Sequence, residues 1–147
     1  MPSWAEDTRR FLEARRVGHV ATVAPDGTPH VLPVCYALDD AAVYFVADAK
    51  PKRRPARALE RVRNVRATGR AALVVDDYDD DWTRLAWVLV RGPATVVEDA
   101  ATHAAALARL RARYPQYGTM PLDDPRAHPI VRIEAALVRT WRAADVP

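Results

Sequence analysis

The apolar residues near the start of the chain recur at helical spacing, and those that follow form short runs bounded by turn residues. The helical spacing predicts one short amphipathic helix from Trp4 to Arg16. Ser3 and Glu6 have the spacing of a capping box, so Ser3 is expected to cap this helix. The runs beyond it are typical of strands.

Three apolar runs follow one another closely, at residues 17–24, 31–38 and 42–47. The turn between the first two contains Gly27, which is free to adopt a positive φ. Pro33 lies inside the second run and removes one backbone donor, which implies a bulge or an exposed edge there. The pattern therefore predicts an antiparallel meander of three strands joined by hairpins.

The second half of the chain alternates between helical spacing and apolar runs. One helix is predicted from Pro55, with an apolar face and an end at Gly69, and a second is capped by Asp99. Strands are predicted at 71–75, at 85–97 with an interruption at Gly92 and Pro93, and at 130–141. Six strands with helices between them favour a mainly β fold, a small antiparallel barrel.

Length and composition fit a single domain. The chain has 147 residues, of which 50% are hydrophobic and 28% are charged. No apolar run approaches the ~20 residues of a membrane-spanning helix, and the N-terminus has no signal-peptide pattern. The only cysteine, Cys35, excludes an internal disulfide. We expect a cytoplasmic protein with one domain over residues 1–147, formed by a helix at 4–16 and a barrel at about 17–141.

Lysine is confined to one place in a chain that otherwise uses arginine. Of the 22 basic residues only Lys50 and Lys52 are lysine, and they lie between the third predicted strand and the next helix. A lysine ammonium acts as a point charge for phosphate, and a helix N-terminus adds a favourable dipole. A phosphate site is predicted, with a solvated turn as the alternative. The arginines are spread out, so a small anionic ligand fits better than a nucleic acid.

Residue types that bind metals or act as nucleophiles are sparse. The acidic run 76–81 lacks the glycine and glutamate of a calcium loop, and the four histidines lack zinc-ligand spacing, so no metal site is predicted. Ser3 is the only serine, which argues against a serine hydrolase. Cys35 is interpreted as a buried apolar residue rather than a nucleophile. No catalytic residue stands out, and glycine-rich nucleotide motifs are absent.

Several segments, in this order along the chain, resemble one known family. They are Gly27 to Tyr36, Asp48 to Arg53, Asp79 to Val88 and Ala112 to Tyr117. The sequence resembles the flavin- and deazaflavin-binding split-barrel family related to pyridoxamine 5′-phosphate oxidase, and within it the branch of coenzyme F-420 dependent enzymes. The resemblance implies a six-stranded antiparallel split barrel that forms a homodimer with two cofactor sites at the interface.

The resemblance also implies roles for particular residues. Lys50 and Lys52 would hold the cofactor phosphate, with Arg57 as a further phosphate contact. Phe45 and Val46 would lie along the cofactor. Backbone groups of Leu32, Pro33, Val34 and Cys35 would line its ring, and a tryptophan or arginine of the partner subunit would cover it.

The expected function is a coenzyme F-420 dependent oxidoreductase that passes hydride to a small planar acceptor. An FMN-dependent oxidoreductase of the same fold and a non-catalytic protein that binds or stores the cofactor are the alternatives. Leu32 stands where pyridoxamine 5′-phosphate oxidases carry an arginine, so that particular reaction is not expected. With the cofactor supplying the chemistry, the lack of an evident catalytic acid or base is explained.

Overall fold

The computed structural model describes residues 4–48 and 59–147. The strands are β1 (Val17–Val23), β2 (Pro29–Cys35), β3 (Ala37–Leu38), β4 (Ala42–Val46), β5 (Arg70–Asp77), β6 (Ala86–Val97), β7 (Ile130–Glu134) and β8 (Leu137–Arg142). The helices are α1 (Glu6–Glu13), α2 (Glu60–Thr68) and α3 (Ala100–Arg113), and short 3-10 turns cover Trp82–Arg84, Pro115–Thr119 and Ala143–Asp145. No helix in these ranges has the length and hydropathy needed to cross a membrane.

All strand pairs are antiparallel, and the strand order is β2-β1-β5-β6-β7-β4-β3. Strand β8 lies off this path and pairs with residues 86–91 of β6. The long strand β6 joins two halves of the sheet, because residues 86–93 pair with β5 and residues 94–97 pair with β7. The mainly β fold with flanking helices is the predicted split barrel. Two of the six predicted strands are each divided, which gives eight.

The first division lies at Tyr36, between β2 and β3. The Tyr114 hydroxyl accepts a hydrogen bond from the Tyr36 N–H at 2.9 Å and lies 2.7 Å from the Tyr36 carbonyl oxygen. The backbone at this break is therefore satisfied by a side chain instead of a neighbouring strand. The predicted three-strand meander is wrong in this respect, since β2 pairs only with β1 while β3 and β4 form a separate hairpin.

The turn and edge predictions around β2 hold. Gly27 has φ 89° in the β1–β2 turn, as expected of a glycine there. Pro33 lies on β2, which has a neighbour on one side only and is thus an edge strand. An edge tolerates the missing donor of a proline.

Glycine at position 92 permits a close approach between strands. A Cβ at Gly92 would lie 2.1 Å from the Glu134 carbonyl oxygen. The predicted interruption of the strand here is wrong, because β6 continues through Gly92 and Pro93. The two residues instead lie where β6 stops pairing with β5 and β8 and starts pairing with β7.

The hydrophobic core lies on both sides of the curled sheet. One cluster fills the barrel between the strands, α1 and α2, and includes Val20, Phe45, Leu73 and Val90. A second cluster packs α3 against the other half of the sheet. Asp99 caps α3 as predicted, with its carboxylate accepting from the Thr102 N–H at 2.7 Å.

The helix faces differ in part from those expected. The sequence spacing predicts that Ala100, Ala104, Leu107 and Leu110 share one apolar face of α3. In the structure Leu107 and Leu110 are buried together with His103 and Ala106, whereas Ala100 and Ala104 are exposed. His103 is accommodated because its Nε2 lies 2.9 Å from the His128 carbonyl oxygen.

The ends of the first two helices also differ from the prediction. The capping box is wrong, because α1 begins at Glu6 itself and its N-cap, Ala5, makes no side-chain hydrogen bond. The second helix, α2, begins at Glu60 rather than near Pro55, which lies outside the described residues. It ends at Gly69 with φ 68° as predicted. The sequence spacing places Asn64 opposite the apolar face of this helix, but Asn64 is buried and donates to the Thr22 hydroxyl at 3.1 Å.

We predict that Gly92→Ala destabilises the protein by roughly 1–3 kcal/mol or more, because its Cβ would meet the Glu134 carbonyl. Urea unfolding followed by circular dichroism measures this. Gly118→Ala is the matched control, since a Cβ there would meet nothing within 4 Å. Equal stability of the two variants would contradict the assigned close contact.

Candidate functional site

A cavity of about 330 Å³ lies between the edge strand β2 and the start of α2. Its walls are formed by Val17, Leu32, Pro33, Val34, Cys35, Val46, Asp48, Arg61 and Tyr117. A larger cleft beside Arg66 and Asp124, of about 460 Å³, is lined mainly by charged groups such as the Arg66–Glu98 ion pair. The cavity at β2 differs because it combines an apolar wall with buried charges.

Four consecutive residues of β2, from Leu32 to Cys35, line the cavity. Side chains alternate between the faces of a strand, so a run of neighbours can line one cavity only along the strand's edge. Among the described residues β2 has a strand partner on one side only, so backbone groups along its other edge are not used in the sheet. Pro33 contributes a carbonyl but no N–H.

Arg61 is the second residue of α2 and has only 8% of its surface exposed. Among the described residues, none accepts a hydrogen bond from its Nε. Burial lowers the pKa of the guanidinium, and the nearby charge of Asp48 acts in the opposite direction. A buried donor without an acceptor costs roughly 1–3 kcal/mol. The geometry therefore suits a ligand that brings an anionic acceptor into this cavity.

Tyr117 and Asp48 complete the polar part of the cavity, with 6% and 7% of their surfaces exposed. Tyr117 comes from the 3-10 turn after α3, and Asp48 lies two residues beyond β4. The pKa of Tyr117 is raised by burial first, and further by the neighbouring Cys35 and Asp48. Its phenol consequently stays protonated near neutral pH and can donate a hydrogen bond.

The cofactor-binding residues expected from the sequence fall into three groups. Five of them line this one cavity: Leu32, Pro33, Val34, Cys35 and Val46. Phe45 is 1% exposed in the core cluster of the barrel, so only its backbone lies along this side of β4. Lys50, Lys52 and Arg57 lie outside the described residues.

Sequence reasoning missed Arg61, Asp48, Tyr117 and Val17 as cavity residues. A signal for Arg61 was present, because residues 58, 61, 62 and 65 have the i, i+3, i+4, i+7 spacing of one helix face. A charged residue on an otherwise apolar helix face is not accounted for by packing into the hydrophobic core. Tyr117 had no comparable signal, since only the fold brings it to β2. Cys35 is half-buried at the end of β2 rather than enclosed mid-strand.

Residues of the acidic run cap a turn and form an ion pair. Asp81 caps the turn at Trp82 by accepting from the Thr83 N–H at 3.1 Å. Asp77 pairs with Arg15, which lowers the pKa of that carboxyl. Within residues 4–48 and 59–147, no group of three or more potential metal ligands occurs.

The sequence profile of the pyridoxamine 5′-phosphate oxidase family matches residues 5–142. The chain belongs to this family. The match extends from α1 to β8 and so includes every described residue of the cavity. No curated protein shows significant similarity in sequence.

Solved structures of the same fold support this assignment. The conserved hypothetical protein Rv2991 of Mycobacterium tuberculosis has a TM-score of 0.76 at 23% identity, over 98% of this chain and 89% of that one. An FAD-binding protein of Mesorhizobium loti has a TM-score of 0.65 at 24% identity, over 94% of each chain. An F-420 reductase has a TM-score of 0.68 at 28% identity, over 92% of this chain and 98% of that one.

Proposed function

We propose that the protein binds coenzyme F-420 in the cavity at β2 and uses the reduced cofactor to pass hydride to a small planar acceptor. The observation that carries this proposal is the buried Arg61, whose Nε has no acceptor among the described residues. An anionic cofactor would supply that acceptor. The similarity to an F-420 reductase at 28% identity favours a deazaflavin among the cofactors of the family.

The residues present fit a phosphorylated cofactor with a planar ring. The edge of β2 and Val46 offer an apolar wall with free backbone groups, and Arg61 offers charge at the first turn of α2. Lys50 and Lys52 follow β4 closely in the sequence and are proposed to hold the phosphate with Arg61.

The chemistry of such a site belongs largely to the cofactor, since a reduced deazaflavin supplies the hydride when bound. The protein's own contribution is binding, orientation and exclusion of water from the apolar wall. Tyr117 keeps its proton and is the described cavity residue suited to donate a hydrogen bond to a bound ring or acceptor.

Two alternatives remain within the same cavity. FMN would satisfy Arg61 as well, and an FAD-binding protein shares the fold. A protein that only binds or stores the cofactor would need the same contacts. Oxidation of pyridoxamine 5′-phosphate is not proposed, because Leu32 places an apolar side chain at the cavity where those oxidases carry an arginine.

A homodimer is also proposed, on the basis of one face of the sheet that we call the outer face. Its residues alternate with core residues on β2, β1, β5, β6 and β8. The apolar members are half-buried or exposed: Val17, Ala21, Val31, Pro33, Ala72, Val74, Trp87, Leu89, Leu137 and Trp141. His19, Arg91 and Arg139 also lie on this face, but an apolar surface of this width is characteristic of an interface.

A second copy is the occupant that we propose for the outer face. Val17, Pro33 and Cys35 belong both to this face and to the wall of the cavity. A partner seated on the face would thus border the cavity and could close it from water. The cross-strand pair Trp87 and Trp141 provides aromatic surface for such a contact.

Titration of the purified protein with coenzyme F-420, and separately with FMN, tests the proposed function. We expect tighter binding of F-420, followed by oxidation of the reduced cofactor when a panel of planar electron-poor acceptors is added. Binding without oxidation by any acceptor would favour the storage alternative. Preference for FMN would favour a flavin enzyme, and binding of neither would refute the proposal.

Arg61→Met is expected to weaken F-420 binding by about 1.5–3 kcal/mol, the range for a hydrogen bond to a charged group. Fluorescence titration measures the affinity, and the thermal midpoint reports whether the variant is folded. Arg63→Met on the same helix is the control, because Arg63 is exposed. Unchanged F-420 affinity in a folded Arg61→Met protein would show that Arg61 does not bind the cofactor.

Sedimentation equilibrium is expected to give twice the monomer mass for the wild type. Val31→Glu should shift this equilibrium toward the monomer, because it adds a charge to the outer face at a side chain that is 66% exposed in the single chain. Val146→Glu, at a 57% exposed position near the C-terminus, is the control. A monomeric wild type would contradict the proposed dimer.

A further inference from the structure

We propose that Asp48 makes the cavity discriminate between phosphate classes, favouring a phosphodiester over a phosphomonoester. The inference rests on the proposed function, since it concerns how the same cavity distinguishes coenzyme F-420 from FMN. Asp48 is a buried acidic residue on the wall of a cavity whose ligand is proposed to be an anion. A carboxylate in that position weakens the attraction of the cavity for an anion, because it repels the ligand that Arg61 attracts.

The geometry brings the two opposite charges to one end of the cavity. Asp48 follows β4 and Arg61 begins α2, and both line the same cavity with less than a tenth of their surface exposed. They are close enough for Asp48 to oppose the effect of burial on the pKa of Arg61. Tyr117 also lies within the electrostatic reach of Asp48. An anion that meets Arg61 therefore also meets the field of a carboxylate.

The two candidate cofactors differ in the charge of their phosphate. Coenzyme F-420 carries a phosphodiester with a single negative charge. FMN carries a phosphomonoester, whose second pKa near 6 gives it a charge of about −1.5 to −2 at neutral pH. The diester has no proton to donate at neutral pH and the monoester is mainly a dianion, so the contact with Asp48 is repulsive for both.

Repulsion grows with the charge of the ligand, so Asp48 penalises a monoester more than a diester. At the effective dielectric constant of about 20 found in proteins, half a unit of extra charge at roughly 6 Å, or one unit at roughly 12 Å, changes affinity about tenfold. Asp48 also offsets part of the charge of Arg61, which further lowers the attraction for a dianion. Its role is that of a specificity-determining residue rather than a group that binds the phosphate.

The experiment compares the affinities of F-420 and FMN for the wild type and for Asp48→Asn, with riboflavin as a phosphate-free reference. We expect Asp48→Asn to raise the affinity for FMN about tenfold more than the affinity for F-420, and to leave the affinity for riboflavin unchanged. Asp48→Glu keeps the charge and should retain the wild-type ratio. Asp145→Asn removes an exposed carboxylate and controls for net charge.

The possible outcomes separate this inference from the proposed function. If the wild type binds F-420 but the FMN to F-420 ratio is the same in Asp48→Asn, the role of Asp48 is refuted while the proposed function stands. If Asp48→Glu shifts the ratio as much as Asp48→Asn, the effect arises from shape and the inference is refuted too. Binding of neither cofactor by the wild type would overturn the proposed function and the inference with it.

Discussion

The hydrogen bonds between the Tyr114 hydroxyl and the backbone of Tyr36 hold together the point at which the barrel divides. Tyr36 is fully buried, and a break between two strands there would leave its N–H and carbonyl without partners. The hydroxyl accepts from the N–H at 2.9 Å and lies within 2.8 Å of the Tyr36 and Arg16 carbonyl oxygens, to one of which it donates. Strand β2 can thus end at Cys35 without leaving a buried backbone N–H or carbonyl unpaired.

The same junction ties the first and third helices to the strand. The Tyr36 hydroxyl donates to the Leu12 carbonyl at 2.5 Å, and Arg113 donates to backbone oxygens at the end of α1 while its guanidinium lies over the Tyr36 ring. Tyr117 follows three residues after Tyr114, and their rings meet edge to face. One junction consequently fixes both Cys35 and Tyr117, which are neighbouring parts of the cavity wall.

Local patterns in the sequence predicted most elements but not how they meet. Gly27, Gly69 and Asp99 were found because turns and caps depend on a few neighbouring residues. The break at Tyr36 was missed because the group that satisfies it, Tyr114, is 78 residues away. The path of β6 through Gly92 was missed for the same reason, since the contact that requires glycine is made by β7. The cavity was predicted along β2, whereas its residues from α2 and the turn after α3 required the fold.

Arg61 is informative because it is a charged residue buried on the apolar face of α2. An apolar side chain at this position would extend the stripe of α2 into the core, and burying a guanidinium there instead costs solvation free energy. The junction at Tyr36 satisfies the buried backbone groups of Tyr36 and the hydroxyls of Tyr36 and Tyr114 within itself. Arg61 keeps a donor that no described residue accepts, in a cavity bounded by an edge strand. Buried ring nitrogens of His30 and His128 and Nη1 of Arg113 also lack a described partner, but these residues do not line the cavity, so Arg61 is the departure from the local rules that supports the proposed ligand site.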